Sequence, residues 1–425
     1  MSLSRFLLAV GCAIALLLDG CGKSSNDNAN VRVLNLISGT NGVNVSAGGV
    51  SILANGSFES LSGFNGVGSG NQEFKVTITG SAGNLIDAIY GLGSAVDYSY
   101  ITNGTPGAAA AVLISDSFIS PGSNVAFRAL NFSLVVPSID VYLTPPGADI
   151  AAATPVVTAA VYGVVTSFVN TTPGDLELRI TPTGSKDVIY DAPVTFSAGT
   201  GQTVVTYSRG SSKLVNAAIL ASNTSGAIVN SQLAQFKVAN GTAVPAPLNV
   251  LVDGVPAVSN LAFASVAPYQ TLPSGVRQIT VESSATPGAT MLSITPNFVP
   301  ATDTSIALSG AAGSLAALVL ADSNPVVVVG RAQLRIVNVS PDFAAVDVYA
   351  NFGKLVSGLA ANSASAYTLV DAALAGTPYQ IDFNNAGTTN AVLRIPGLVL
   401  TSNHVYTVYL LGSGPTLTGV LTQDR

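Results

Sequence analysis

The side chains that could do chemistry in this chain are most regular in one repeated pairing of a basic residue with an Asx residue. The basic residues are Arg32, Arg128, Lys237 and Arg335. The Asx residues, each twelve positions later, are Asn44, Asp140, Asn249 and Asp347. Such a pair could form a ligand site in every copy. It also arises when adjacent strands pair the two side chains, or when the Asx caps a turn. Residues shared by copies of one fold mostly maintain that fold, so the structural interpretation is favoured.

An aromatic residue is the third repeated position. The aromatics are Phe64, Phe168, Tyr269 and Tyr367. Each follows its basic residue by 32 positions, except in the second copy, where the interval is 40. The additional residues coincide with the turn-forming segment 145–149, which predicts an inserted hairpin loop. We expect the aromatics to lie in the core or to tether a corner of the fold.

Catalytic and cofactor-binding groups are scarce. A Ser-His-Asp triad would have to use His404, the single histidine, which sits in a turn leading into a strand. No Gly-x-Ser-x-Gly nucleophile motif occurs in the sequence. The glycine-rich segment 66–70 is not followed by a helical pattern, and no Asp-x-Asp-x-Asp-Gly calcium loop is present. We therefore expect no enzymatic activity, no cofactor and no metal site.

The composition of the 425-residue chain limits its partners. Charged residues make up 9% of the chain and the net charge is −6. This balance, without clusters of Lys and Arg, argues against binding to nucleic-acid phosphates. The mean hydropathy is +0.51. Beyond the N-terminal segment, however, the apolar residues form short runs broken by Gly, Pro, Asn and Ser, as strands do.

The N-terminal segment has the pattern of an export signal. Arg5 precedes an apolar run at 6–18, which is too short to span a bilayer but fits a signal-peptide core. The sequence LDGC at 18–21 resembles the bacterial lipobox, so Cys21 would be lipidated. The predicted segments are a lipoprotein signal peptide at 1–20 and a flexible tether at 21–30. We expect a chain held by lipid in the cell envelope, at the outer membrane or the cell surface.

Four copies of one unit follow the tether. The predicted units span residues 31–118, 125–223, 233–323 and 331–425. Each contains about seven short runs rich in Val, Ile, Leu, Thr and Tyr, separated by turn residues. At about 90 to 100 residues a unit has the size of a domain rather than of a solenoid repeat. The pattern predicts an all-β chain, a tandem array of four immunoglobulin-like antiparallel β-sandwich domains after the signal peptide.

Two motifs inside the units resemble those of a bacterial family. Residues 334–349 read LRIVNVSPDFAAVDVY, with a basic residue, a Ser-Pro-Asp turn and a Val-Asp-Val-Tyr strand. Residues 269–275 read YQTLPSG, a Tyr followed by Leu-Pro-x-Gly. Both resemble motifs of the domain-of-unknown-function 4397 family, in four diverged tandem copies of which the first two depart most from the pattern. The resemblance implies β-sandwiches on secreted or lipid-anchored bacterial proteins, and it implies no activity.

These observations favour a non-catalytic, lipid-anchored cell-envelope protein that acts as a structural or adhesive surface array. The alternative is a lipoprotein that captures a glycan or peptide through loops or strand edges. The expected partners are the membrane, through lipid on Cys21, and an envelope polysaccharide or protein, but no nucleic acid. Tyrosines exposed on one rim would favour capture, whereas buried tyrosines would favour a structural role. The tyrosines concerned are Tyr98, Tyr100, Tyr142, Tyr162 and Tyr207.

Overall fold

The computed structural model describes residues 28–222, 224–374 and 377–425. These residues form β-strands and short 3-10 helices, and no α-helix occurs among them. They assemble into four successive units of packed sheets, so the prediction of tandem β-sandwiches is confirmed. No helix in the described part of the chain has the length and apolar character needed to cross a membrane. The predicted signal peptide and Cys21 lie outside the described residues.

The first two units run from β1 to β18. The strands of the first unit are β1 (Asn28–Ile37), β2 (Val43–Ala47), β3 (Val50–Gly56), β4 (Ser60–Leu61), β5 (Asn65–Gly68), β6 (Gly70–Ile78), β7 (Asn84–Leu92), β8 (Asp97–Gly104) and β9 (Ala110–Ser115). The strands of the second unit are β10 (Val125–Phe132), β11 (Ser138–Thr144), β12 (Val157–Val161), β13 (Val169–Thr171), β14 (Gly174–Pro182), β15 (Tyr190–Phe196), β16 (Gly201–Tyr207), β17 (Asn216–Ala221) and β18 (Ala227–Val229). A 3-10 helix, Ile150–Ala152, lies in the loop between β11 and β12.

The last two units run from β19 to β38. The strands of the third unit are β19 (Leu233–Asn240), β20 (Leu248–Val252), β21 (Val255–Leu261), β22 (Ser265–Val266), β23 (Gln270–Pro273), β24 (Gly275–Val276), β25 (Ile279–Ser283), β26 (Thr290–Ile294), β27 (Asn297–Phe298), β28 (Asp303–Ser309) and β29 (Ala316–Asp322). The strands of the fourth unit are β30 (Arg331–Asn338), β31 (Ala345–Ala350), β32 (Gly353–Ala360), β33 (Ser363–Ala364), β34 (Thr368–Asp371), β35 (Tyr379–Asn385), β36 (Ala391–Leu398), β37 (Val405–Leu411) and β38 (Thr418–Gln423). A 3-10 helix, Gly414–Thr416, precedes β38.

Each unit has an antiparallel outer sheet and an inner sheet that faces another unit. In the first unit the outer sheet has the order β3-β2-β6-β7, and the inner sheet has the order β4-β1-β8-β9, with β5 also paired to β1. The inner sheets of the other units are β13-β10-β16-β17-β18, β22-β19-β28-β29 and β33-β30-β37-β38. The pairs β1–β8, β10–β16, β19–β28 and β30–β37 are parallel, which departs from a purely antiparallel sandwich. The chain can form them because it passes through the outer sheet between the two paired strands.

The core of each sandwich lies between its two sheets. Strand β2 shows the expected alternation, because Val43, Val45 and Ala47 are buried and the residues between them are half-buried. The buried side chains of the outer sheet pack against the inner sheet. At the centre of this contact Phe74 of β6 and Tyr100 of β8 are fully buried and their rings touch. Each of the four units has its own such apolar cluster.

The inner sheets are buried on both faces. Every residue of β10, β16 and β37 is buried, although a strand of an isolated sandwich would bury one face only. The second face packs against the inner sheet of another unit. Leu34 and Ile101 of the first unit meet Leu130 and Val205 of the second in one cluster. A second cluster joins the third and fourth units, around Ala239, Ala307, Val337, Tyr409 and Leu411. The chain is therefore organised as two pairs of units.

The two pairs are also in contact. The Ser211 hydroxyl of the second unit donates to Asp303 Oδ1 of the third at 2.6 Å, and the Ser212 amide donates to Asp303 Oδ2 at 2.6 Å. Ala301 of the third unit packs into the core of the second. Burial raises the pKa of Asp303, even though its hydrogen bonds act in the opposite direction. The joint between the pairs is thus a packed contact rather than a solvated linker.

The predicted tether of residues 21–30 is wrong over its last three residues. Asn28, Ala29 and Asn30 belong to β1, where they pair with β5. Ala29 is fully buried, and the Asn30 amide donates to Asp97 Oδ1 at 2.7 Å. Their small polar composition is typical of a tether, but their backbone groups are satisfied in the inner sheet.

Candidate functional site

The four repeated basic residues occupy equivalent positions on the first strand of each inner sheet, and all are buried. Arg32 is 0% exposed, and even Arg128, the most accessible of the four, is only 7% exposed. Each lies directly beside a hydroxyl residue on the parallel neighbouring strand. These hydroxyl residues are Ser99, Thr203, Ser305 and Thr407. Arg32 Nε donates to Ser99 Oγ at 2.7 Å, and Arg128 Nε donates to Thr203 Oγ1 at 2.9 Å.

A buried acid completes the arrangement. It lies at the C-terminal end of β9, β29 and β38, the equivalent inner-sheet strands of the first, third and fourth units. Asp116, Asp322 and Asp424 hold this position in the first, third and fourth units, and all three are buried. Ser222 stands there in the second unit. Sequence reasoning missed these acids and the hydroxyl residues. The acids could have been found from the sequence as a small polar or acidic residue that directly follows an Ala-, Val- or Leu-rich strand.

The third and fourth units exchange ion pairs reciprocally. Lys237 of the third unit donates to Asp424 of the fourth, while Arg335 of the fourth donates to Asp322 of the third at 2.7 Å. Each carboxylate also accepts from the hydroxyl residue of its own unit, Asp322 from Ser305 at 2.7 Å and Asp424 from Thr407 at 2.5 Å. The interface is therefore close to two-fold symmetric, with two cations facing two anions.

The first and second units form the same interface with one acid fewer. Asp116 Oδ2 accepts from Arg32 at 2.9 Å, and Asp116 Oδ1 lies 3.8 Å from Arg128. Because Ser222 replaces the second acid, Arg32 Nη1 instead donates to two backbone carbonyls of the second unit. These are the carbonyls of Ala221, at 2.9 Å, and Thr224, at 2.6 Å. Two buried cations thus share a single carboxylate.

The repeated aromatics cover the buried cations. The distances from cation to ring centroid are 4.6 Å for Arg32 and Phe64, 4.3 Å for Arg128 and Phe168, 4.8 Å for Lys237 and Tyr269, and 4.7 Å for Arg335 and Tyr367. All four rings are half-buried, so each closes its cluster against solvent. A desolvated cation–π contact stabilises by about 2 kcal/mol. The role of each ring is therefore specific: it shields an ion pair.

The pKa shifts of the buried charges reflect burial opposed by ion pairing. Burial raises the pKa of Asp116, although Arg32 and the Ser99 hydroxyl act to lower it. Burial likewise raises the pKa of Asp424 against the effect of Lys237. Burial, the largest single effect, would lower the pKa of Arg335, but the charges of Asp322, Asp424 and the nearby tyrosines together outweigh it and the pKa is raised overall. Each charge therefore relies on its partner to offset its burial, and removing one partner leaves the other buried and unpaired.

The repeated Asx residues lie in the outer sheets, so the expected pairing with the basic residues across adjacent strands is wrong. Each Asx instead accepts the backbone N–H of a residue opposite it in the next strand. The hydrogen bonds run from Asn55 to Asn44 (2.8 Å), Ala159 to Asp140 (2.8 Å), Asn260 to Asn249 (2.9 Å) and Gly358 to Asp347 (2.8 Å). All four donor residues have positive φ, between 51° and 61°. The Asx therefore fixes a β-bulge in each outer sheet. In two copies it also meets the turn-capping alternative, because Asp140 and Asp347 accept the N–H of the turn glycines Gly184 and Gly387.

One consequence concerns Ala159, whose φ of 51° lies in the left-handed region. An alanine there carries strain of about 1 kcal/mol that glycine avoids. We expect Ala159→Gly to stabilise the chain by about 0.5–1 kcal/mol, measured by thermal unfolding. Gly358→Ala, at the equivalent position with φ of 61°, is the reverse control and should destabilise. A loss of stability in Ala159→Gly, as for an ordinary strand glycine, would contradict this account.

A second consequence concerns the dependence of stability on pH. Backbone N–H groups of Gly358 and Gly387 lower the pKa of Asp347 to about 2, from an ordinary value of 3.8. The carboxylate therefore stabilises the folded chain above about pH 4, and this contribution is lost as the pH falls towards 2. We expect Asp347→Asn to destabilise most above pH 4 and least near pH 2, in urea titrations across this range. Asp371→Asn, at a side chain that is 81% exposed, is the control with a small effect.

The remaining candidate residues do not converge on a site. His404 Nδ1 lies 3.0 Å from the Thr401 hydroxyl and 2.6 Å from the Ser402 carbonyl, within its own turn. No group of three or more His, Cys, Asp or Glu side chains within residues 28–222, 224–374 and 377–425 is placed to hold a metal ion.

The five tyrosines that distinguish capture from a structural role are mostly covered. Tyr100, Tyr142 and Tyr207 are buried, Tyr98 is half-buried, and Tyr162 is 39% exposed. Tyr162 accepts a hydrogen bond from Asn103 of the first unit at 2.8 Å, so its hydroxyl also lies at the interface between units. The tyrosines do not form an exposed binding rim.

Comparisons with known proteins identify the family of the chain. A search of curated proteins finds no match. Among solved structures, the Bacillus anthracis TIE protein aligns with 10% sequence identity and a TM-score of 0.15, over 88% of this chain. The alignment covers 66% of that protein, just under two thirds of its length. The model of the domain of unknown function DUF4397 matches residues 29–142, 234–349 and 332–425, which together make up more than half of the sequence. The chain therefore belongs to the DUF4397 family, as its motifs indicate.

Proposed function

We propose that this protein is a non-catalytic structural or adhesive component of the bacterial cell envelope. Lipid on Cys21 anchors it, at the outer membrane or the cell surface, and its four units project as one packed body. It uses no cofactor. Its partners are the membrane and an envelope polysaccharide or protein.

One observation carries the proposal. The basic residues that recur in every unit, and that would be the best candidates for a repeated ligand site, are all bonded to the neighbouring unit. Arg32 and Arg335 are buried beneath aromatic rings and bonded to groups of the neighbouring unit. Units held together by buried contacts of this kind suit a structural or spacing element. The covered tyrosines support the same function over ligand capture.

The anchor is tested by a pair of cysteine variants in the full chain, expressed in a bacterium that processes lipoproteins. We expect Cys21→Ser to lose acylation and to leave the membrane fraction, because the thiol is the only proposed attachment point. Cys12→Ser, which changes the only other cysteine, should remain acylated and membrane-bound. Membrane retention of Cys21→Ser would contradict the anchor.

The structural role is tested by incubating the chain from residue 22 onward with envelope polysaccharide and with envelope protein from the same cells. A structural or adhesive element should bind a polymeric envelope component, and should bind no small glycan or free peptide in a saturable way. Saturable binding of a small glycan or peptide would favour the capture alternative. Hydrolysis of any of these materials would contradict the absence of catalysis.

A further inference from the structure

One unit covers an edge of its inner sheet that the others leave uncovered. In the second unit β18 adds antiparallel to β17, with Ala217 opposite Val229 and Ile219 opposite Ala227. Among the described residues, no strand pairs with the equivalent side of β9, β29 or β38. The second unit therefore shows which kind of segment this edge accepts. It is short, extended and made of small or β-branched apolar residues.

A single hydrogen bond identifies which backbone groups of β29 face the uncovered edge. Arg335 Nη1 donates to the Ala321 carbonyl at 3.3 Å, so this carbonyl points away from β28. In an antiparallel ladder the N–H and C=O of one residue point to the same side, and that side alternates along the strand. The backbone groups of Ala317 and Val319 therefore face the edge together with those of Ala321.

Apart from Arg335 at the Ala321 carbonyl, the β29 edge carries none of the features that usually prevent strand addition. Its sequence, AALVLAD, contains no Lys and no Pro. The one charged residue, Asp322, is 6% exposed and is bound by Arg335. Val319 is 41% exposed at the centre of the strand. An uncharged, accessible edge of this kind is a template for another strand.

We propose that the β29 edge is a docking site for a second copy of this chain, whose own β29 adds antiparallel to form one sheet across two molecules. The equivalent edge in the second unit is covered by β18, a short apolar strand of this same chain, and β29 is likewise apolar over residues 316–321. Two identical strands related by a two-fold axis pair antiparallel, and here no like charges face each other. The inference rests on the proposed function, because such a contact joins two neighbouring molecules of a structural surface protein.

The test uses the chain from residue 22 onward, which retains every described residue, in sedimentation experiments over a range of concentrations. We expect a reversible dimer, and we expect Val319→Lys to weaken it about tenfold or more, because a lysine at the centre of an edge strand opposes pairing with another strand. Ile119→Lys is the matched control, since Ile119 is 91% exposed and lies in a loop. It should dimerise as the unchanged chain does. A chain that stays monomeric at all concentrations, or a dimer unaffected by Val319→Lys, would overturn the proposal.

Hydrogen exchange of the unchanged chain provides a measurement that does not depend on the folding of a variant. The amides of Ala317 and Val319 should exchange rapidly in dilute solution and become protected as the concentration rises. The amides of Ala217 and Ile219, which face β18, should be protected throughout. Exchange at Ala317 and Val319 that is independent of concentration would overturn the proposal. Neither measurement involves Cys21, so failure of the anchor and failure of this contact are read separately.

Discussion

Replacing Arg335 with methionine is expected to destabilise the paired third and fourth units by about 3–5 kcal/mol. The change leaves Asp322 and Asp424 buried, 6% and 3% exposed, with Lys237 as the one remaining cation of the network. Methionine retains much of the side-chain volume, so the effect reports the lost charge more than a cavity. Urea denaturation followed by circular dichroism and by tyrosine fluorescence measures it, since the chain has 13 tyrosines and no tryptophan.

Arg331→Met is the matched control for this prediction. Arg331 lies on the same strand, β30, but its ion pair with Asp371 is at the surface, with side chains 39% and 81% exposed. We expect a change within about 1 kcal/mol there. The double variant Arg335→Met with Asp322→Asn should cost less than the sum of the two single changes, because the second change removes the charge left unpaired by the first. Additive costs would show that the two side chains are not energetically coupled.

The sandwiches could be predicted from the sequence because their signals are local. Alternating apolar residues, as in β2, and turn glycines specify strands within a few residues of one another. The nearly constant spacing from Arg32, Arg128, Lys237 and Arg335 to the Asx and aromatic positions also indicated that these residues have the same role in every unit. The aromatics could be assigned to the fold for the same reason.

The pairing of units could not be predicted from these signals. The distance along the chain from the basic residue to the hydroxyl and acidic residues of its unit differs in every copy, so the recurring basic residue does not mark Asp116, Asp322 or Asp424, even though each acid follows its hydroxyl residue by 17 positions. Strands buried on both faces, such as β37, also have the composition of ordinary core strands. Only the three-dimensional packing shows that the second face belongs to another unit. The basic–Asx pairing failed for a related reason: the two positions are near in sequence but lie on different sheets.

Asp116→Asn is expected to be at least as disruptive in the first pair of units, at about 3–5 kcal/mol. Arg32 and Arg128 both depend on this carboxylate, at 2.9 Å and 3.8 Å, and both arginines are buried. The asparagine keeps the shape of the side chain and one acceptor for the Ser99 hydroxyl, so the loss measures the charge. In hydrogen exchange at increasing urea, the amides of the first two units should lose protection at a lower urea concentration, whereas those of the last two units should shift less. Equal shifts in both pairs would contradict the assignment of the acid to one interface.

The pseudo-symmetry of the two interfaces then predicts a rescue. Ser222 occupies in the second unit the position that Asp424 occupies in the fourth, and Asp424 faces Lys237, the equivalent of Arg32. Ser222→Asp introduced into Asp116→Asn should therefore place a carboxylate near Arg32 and recover about 1.5–3 kcal/mol, as expected for a hydrogen bond between charged groups. Ser120→Asp, an exposed position in the loop after β9, adds the same charge away from the interface and should recover nothing. Recovery by Ser222→Asp alone would mean that the position of the acid between the inner sheets, rather than the unit that carries it, keeps two units paired.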